Sequence, residues 1–237
     1  MPHETIVAMM TVSGRAKAAD ETLASFAEVG VPVDHVQLQT EPPSLRMNSI
    51  NFIRTLRATI HHDKPILVVE DDLIASKALG SWLEWIEAQA FTVPVFLYLN
   101  QARWHSSKAA QTMTDGGADA PAGIDKVAQL NTWWGTQATW FPPQFVKGLL
   151  LDDNIRWEAY ELSAFDVELR RYCLTHGVTP LVTVPHLVQH RDYPRITGGQ
   201  SGHSSGAFRD DVMPPATIKQ TVVEAELKPK RAQNKEK

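Results

Sequence analysis

The sequence predicts an α/β fold in which a mixed, mostly parallel sheet is flanked by helices. Short apolar runs at residues 5–12, 31–39, 66–69, 92–99 and 181–184 have the length and β-branched character of strands. Segments with apolar residues at helical spacing separate the first four of these runs, the alternation that parallel sheets require. The third run, Ile66-Leu67-Val68-Val69, ends abruptly in three consecutive carboxylates, Glu70, Asp71 and Asp72. Ligands of open α/β sheets gather at that end of a strand.

Taken in order, residues 5–12 form a first strand that runs into Ser13-Gly14-Arg15. A helix follows over 20–29, with Leu23, Phe26 and Ala27 at helical spacing and Gly30 as its stop. The second strand, 31–39, ends before Pro42-Pro43, which cannot continue a ladder. Residues 48–60 give a second helix through Ile53, Leu56 and Ile60, and the central strand is next. A third helix spans 75–90, carrying Leu79, Trp82, Leu83 and Ile86, and Pro94 assigns the strand at 92–99 an edge position or a late start. Residues 101–128 are rich in Ala, Gly, Ser, Thr and Asp and read as a long surface loop.

Order returns with an aromatic strand over 133–141, containing Trp133, Trp134 and Trp140, and with a short helix opened by Pro142-Pro143 and reaching Leu151. Residues 158–173 predict another helix. With Leu162, Phe165, Leu169 and Cys173 on its apolar stripe, Asp166 falls about 40° from Leu162, at the stripe's edge, at ~100° per residue. A carboxylate there is either salt-bridged to a neighbour or has a task. Strands at 181–184 and 187–190 flank Pro185, and 191–209 is Gly- and Ser-rich, with Arg191, Arg195, His203 and Arg209 able to wrap an anion. The reading is one domain over residues 1–213 and a basic, disordered tail over 214–237.

Composition narrows the function classes. A net charge of −4 over 237 residues leaves no global basic footprint for nucleic acid. Cys173 is the single cysteine, which excludes an internal disulfide and a multi-cysteine zinc site and suits a reducing compartment. No run approaches membrane-spanning length and the N-terminus lacks the pattern of a signal peptide, so a cytoplasmic protein is expected. Three adjacent carboxylates at the end of a buried strand are costly unless a cation neutralises them, and a hard divalent cation with oxygen ligands is the usual remedy. An acidic, solvated helix start is the plainer alternative.

Residues 65–73 resemble two families. Ile-Leu-Val-Val-Glu-Asp-Asp is similar to the opening strand of response-regulator receiver domains, whose acidic pair binds magnesium. A receiver also demands a phosphoacceptor Asp at the end of a later buried strand. Here Asp115 and Asp119 lie in the Gly/Ala-rich loop, and the strand over 92–99 is followed by Asn100. The chain also resembles glycosyltransferases of the GT-A fold over most of its length and in order. It has a strand leading to Ser13-Gly14-Arg15, the helix containing Asn51 and Arg54, and Glu70-Asp71-Asp72 in place of an Asp-X-Asp metal motif. After these come Trp134-Gly135 before an aromatic strand, the helix bearing Asp166, and His190 near the carboxyl end. The departure from that pattern is Glu at its first position.

This second resemblance implies a GT-A-like, Rossmann-type domain that moves a sugar from a nucleotide-sugar donor to an acceptor hydroxyl with the help of Mn2+ or Mg2+. Asp72, Glu70 and His190 would hold the metal. Ser13, Arg15, Asn51, Arg54, Glu70, Asp71, Trp134 and Gly135 would line the donor site. Asp166, with Glu161 in reserve, would be the base of an inverting reaction. The acceptor is left open between a glycan, a protein side chain and a modified nucleobase. A binding protein that keeps the pocket without turnover is a further alternative.

Overall fold

The computed structural model describes residues 3–98, 122–127, 137–152, 164–191, 193 and 208–216. In chain order these form β1 (Ile6–Val12), α1 (Ala16–Glu28), β2 (His35–Gln39), α2 (Leu45–Thr59) with a 3-10 turn at Ile60–His62, β3 (Ile66–Glu70), β4 (Leu73–Ala75) and α3 (Leu79–Ala88). They continue with β5 (Val95–Phe96), β6 (Gly123–Lys126), β7 (Ala138–Phe141), α4 (Pro143–Leu150), α5 (Phe165–His176), β8 (Leu181–Val184) and β9 (Val188–His190).

Seven of the strands make one sheet in the order β2-β1-β3-β7-β5-β8-β6, and β4 pairs with β9 in a separate two-stranded sheet. The β1–β2, β1–β3 and β5–β8 ladders are parallel. Those of β3–β7, β5–β7 and β6–β8 are antiparallel. The expected mixed sheet is found, but it is not mostly parallel: among the described residues its antiparallel ladders equal its parallel ones in number. β7 enters the sheet against β3 and β5, and Gly123–Lys126 adds an antiparallel edge strand where the sequence suggested only loop.

Alternation along β1 and β3 builds a three-layer domain. Val7, Met9, Leu67 and Val69 face Ala19 and Phe26 of α1 and Leu79, Trp82, Leu83 and Ile86 of α3. Ala8, Met10, Ile66 and Val68 face Phe52, Ile53 and Leu56 of α2, Phe145, Val146 and Leu149 of α4, and Phe165 and Leu169 of α5. Because both faces are covered, the strands read as unbroken apolar runs.

Several elements differ in extent from their sequence patterns. Ser44, with extended backbone, caps α2 by accepting a hydrogen bond from the Met47 amide at 3.1 Å, so the helix starts earlier than its apolar stripe. The third helix begins only at Leu79, and the residues before it are spent on β4. Pro94 produces the late start: β5 is two residues long, yet it lies inside the sheet. The last long helix does not run through from residue 158. Ala164 is extended, with φ −60° and ψ 151°, and α5 opens at Phe165. Asp166 consequently lies in the first turn of a helix rather than in its middle. The Phe165 ring stacks on Phe52 at a centroid distance of 4.4 Å, which fixes this helix start against α2.

Candidate metal centre

The centre is assembled where β3 ends. Glu70 is the last residue of β3, and its amide donates to the Gln137 carbonyl at 2.8 Å, just before β7. The chain then turns through Asp71 and Asp72 into β4. Antiparallel pairing of β4 with β9 sets Leu73 opposite His190, and the Arg191 amide donates to the Asp72 carbonyl at 2.6 Å. This small sheet therefore carries an imidazole from near the carboxyl end of the chain back onto the acidic triplet. His190 Nε2 lies 3.2 Å from Asp72 Oδ1. One ligand atom each from Glu70, Asp72 and His190 can be chosen so that all lie within 4.8 Å of one another.

The three residues fit a divalent cation on two grounds. Two carboxylate oxygens and one imidazole nitrogen are a donor set that suits first-row divalent metals and leaves positions open for phosphate oxygen and water. Asp72 Oδ1 is moreover buried and faces His190 Nε2 at 3.2 Å without a well-formed hydrogen bond among the described residues, so this carboxylate oxygen is directed into the centre. The donor set does not choose between manganese and magnesium.

Arg15 is the cation already present. It follows a tight turn in which Gly14 has φ +92°, and it precedes α1. Its Nε lies 3.1 Å from Asp71 Oδ1, and its Nη2 donates to Asp72 Oδ2. Burial works against the guanidinium charge, but Asp72 and Asp71 outweigh it and raise the Arg15 pKa. Thr11 Oγ1, at the end of β1, donates to Asp71 Oδ2 at 2.6 Å. Even so, burial, with some help from Asp72, pushes the Asp71 carboxyl up to about 6 against the pull of Arg15 and Thr11. Glu70 is affected more strongly. Burial first, then the Asp72 and Asp71 charges, push it up to about 8, with Arg15 opposing and Asp166 adding to the rise. The start of α5 is held against α2, where the Phe165 amide donates to Asn48 Oδ1 at 3.5 Å.

The other predicted site residues are placed as follows. Ser13 is exposed in the turn after β1, where its amide donates to the Gln39 carbonyl at 2.9 Å. Asn51 is buried, and its Nδ2 donates to the Thr11 carbonyl at 3.2 Å, so it steadies the strand end that holds Asp71. Arg54 is engaged with Glu41 at 2.8 Å on an exposed face of α2. Asp166 Oδ1 accepts from the Val167 amide at 2.8 Å. Glu161, Trp134, Gly135, Trp133, Arg195 and His203 lie outside the described residues. Arg191, expected to wrap an anion, donates from Nε to the Leu73 carbonyl at 3.2 Å and lies 3.4 Å from Glu21.

Sequence reasoning missed Thr11, whose hydroxyl orients Asp71, and Tyr193, whose ring lies 5.8 Å from the Arg15 guanidinium carbon. Neither had a usable signal, because a strand-end Thr and a loop Tyr are commonplace. His186 was missed as well. It is fully buried, with its ring 5.6 Å from that of Tyr98, and burial holds its pKa down at about 3. In the unfolded chain His186 takes up a proton below about pH 6.5, whereas the fold keeps it neutral. Its contribution to stability is therefore complete above that pH and is lost as the pH falls toward 3. At pH 5 the loss is about 2 kcal/mol, or roughly 4–8 °C of Tm at this chain length. Melting curves of wild type and His186→Asn between pH 7.5 and 5 check this, the variant losing that share of the slope.

Fold and site together define an α/β domain with a candidate metal centre at the carboxyl end of its third strand. No protein-family model matches the sequence, and no curated protein matches it. Among solved structures, a glycosyltransferase involved in the glycosylation of the major capsid of PBCV-1 is similar to it, with 9% identity and a TM-score of 0.34 over 73% of this chain and 75% of that one. No described helix is long and apolar enough to cross a membrane.

Proposed function

We propose that the chain is a metal-dependent, cytoplasmic glycosyltransferase of GT-A type, with its catalytic domain in residues 1–213, acting on a nucleoside-diphosphate sugar. The observation that carries the reading is the convergence of Glu70, Asp72 and His190 within 4.8 Å at the end of β3. The order of elements around it, with a strand–turn–helix before and a carboxylate-bearing helix after, supports the same reading. The receiver alternative finds no support: beside β3 lies the antiparallel β7, Ala138–Phe141, which ends in no aspartate.

In this reading Asp72, Glu70 and His190 hold Mn2+ or Mg2+. The bound cation would neutralise charge on the departing diphosphate. Asp166 takes the proton of the acceptor hydroxyl as that oxygen bonds to the anomeric carbon. The anomeric carbon–phosphate oxygen bond breaks in the same step, and its electron pair leaves with the nucleoside diphosphate. Ser13 and Asp71 would line the donor side and Asn51 would steady it through Thr11, while Arg54, Trp134 and Gly135 are assigned to donor binding by the resemblance alone. The acceptor hydroxyl belongs to a glycan, a protein side chain or a modified nucleobase. Incubation with a panel of sugar nucleotides and Mn2+ tests the proposal: one donor is hydrolysed or transferred only when the metal is present. Metal-linked nucleotide binding without turnover on any donor would point instead to a binding protein.

A further inference from the structure

Arg15 occupies an unusual position for a residue expected to face a diphosphate. Its guanidinium is spread across both aspartates of the candidate centre, through Nε to Asp71 and through Nη2 to Asp72, the latter being a metal ligand of the proposed site. A planar guanidinium with several fixed donors can bridge two carboxylates in this way, which a compact ammonium cannot do equally well. Its side chain is 16% exposed, so part of the guanidinium arm remains open to solvent. The Tyr193 ring, 5.8 Å away, offers an aromatic face next to it.

We infer that Arg15 is the resident counter-ion of the metal-free centre, which yields Asp72 to the incoming cation and is thereby released to bind the anion that the cation brings. The inference rests on the metal reading given above. Before loading, the guanidinium neutralises Asp71 and Asp72 and keeps the strand end folded. A divalent cation held through Asp72 Oδ1, the oxygen toward His190, would draw charge from Oδ2 and loosen the Nη2 contact there, while Nε stays on Asp71. The loosened edge of the guanidinium would then be available to a diphosphate. Cation and diphosphate thus assist one another's binding through Arg15. Metal alone is opposed by the ion pair, and metal with diphosphate is rewarded by the freed guanidinium. Such coupling is reciprocal: each ligand tightens the other by the same factor.

The test is calorimetric titration of Mg2+ into wild type, Arg15→Gln and Arg15→Lys, each with and without saturating nucleoside diphosphate, alongside melting curves of the metal-free proteins. Arg15→Gln is expected to bind the cation alone about tenfold more tightly, since a charge-assisted hydrogen bond no longer competes. It should also lose most of the enhancement by diphosphate and melt lower when metal-free. Arg15→Lys keeps the charge but not the bridge, and it too should bind the cation alone more tightly than wild type. If Arg15→Lys matches wild type while Arg15→Gln tightens, the effect is one of net charge and the inference falls. Unchanged diphosphate enhancement in Arg15→Gln overturns it as well, with the metal site left standing. If none of the three proteins binds the cation, the metal reading itself fails and this inference with it.

Discussion

Asp72→Ala loses the cation-dependent rise in Tm that wild type shows with Mn2+ and a nucleoside diphosphate. Asp72 is the residue that the proposed metal and the existing structure share, with Oδ1 3.2 Å from His190 Nε2 and Oδ2 bonded to Arg15. Without it, Glu70 and His190 face each other with no carboxylate between them, and cation affinity falls on the order of 100-fold or more. Ligand at a hundredfold excess over its Kd stabilises a fold by about 2.7 kcal/mol. In a chain of this size that is a shift of roughly 5–10 °C, so its loss is easily measured by differential scanning fluorimetry. The variant remains folded, because Arg15 retains Asp71 and the β4–β9 ladder does not depend on the Asp72 side chain. A full cation response in Asp72→Ala would rule out the centre proposed here.

Asp166→Asn lowers turnover by about 10²–10⁴-fold while nucleotide affinity stays within experimental error, as expected of a group that accepts the acceptor's proton. The substitution is a fair probe because asparagine keeps the Oδ1 that accepts from the Val167 amide. The plainer role for Asp166 is electrostatic support of α5, in whose first turn it sits. A first-turn carboxylate contributes only about 0.3–1 kcal/mol, or roughly 1–4 °C of Tm here. The two roles therefore separate by magnitude. A small drop in Tm with turnover reduced only in proportion would assign Asp166 to the helix, and a drop of two decades or more in kcat would assign it to the reaction. Steady-state kinetics beside calorimetry of nucleotide binding reads both.

The first half of the fold was legible in the sequence because local pattern and tertiary role agree there. Residues 66–69 are apolar on both faces, and both faces are covered. Strand direction was not legible. Nothing in Ala138-Thr139-Trp140-Phe141 distinguishes an antiparallel strand from a parallel one, since side chains alternate in both. Leu73-Ile74-Ala75 read as the approach to a helix, because a three-residue strand is too short for any period to show. Gly123–Lys126 takes its order from β8 rather than from its own composition.

The site divides along the same line. A triplet of carboxylates at a strand end announces a cation on charge grounds alone, and His190 could be paired with it through the resemblance. The bridge from Arg15 to both aspartates depends on the turn at Gly14 and on side-chain reach, which spacing does not encode. Asp166 stood out by its place beside an apolar stripe, and the helix start at Phe165 changes its setting to a first turn.

The ladder between β4 and β9 has a consequence for how the protein is made. Leu73 and Arg191 are joined by a hydrogen bond across 118 positions of sequence, and the donor set straddles the same interval. During synthesis Glu70, Asp71 and Asp72 leave the ribosome long before His190, and for that time Arg15, only two helices and two strands away, is the cation within reach. The nascent chain can therefore close the acidic turn early and without metal. On the metal reading, a complete seat for an ion exists only once Val188–His190 has docked on Leu73–Ala75, so that a chain interrupted before residue 188 lacks the imidazole and leaves Leu73–Ala75 without its partner strand.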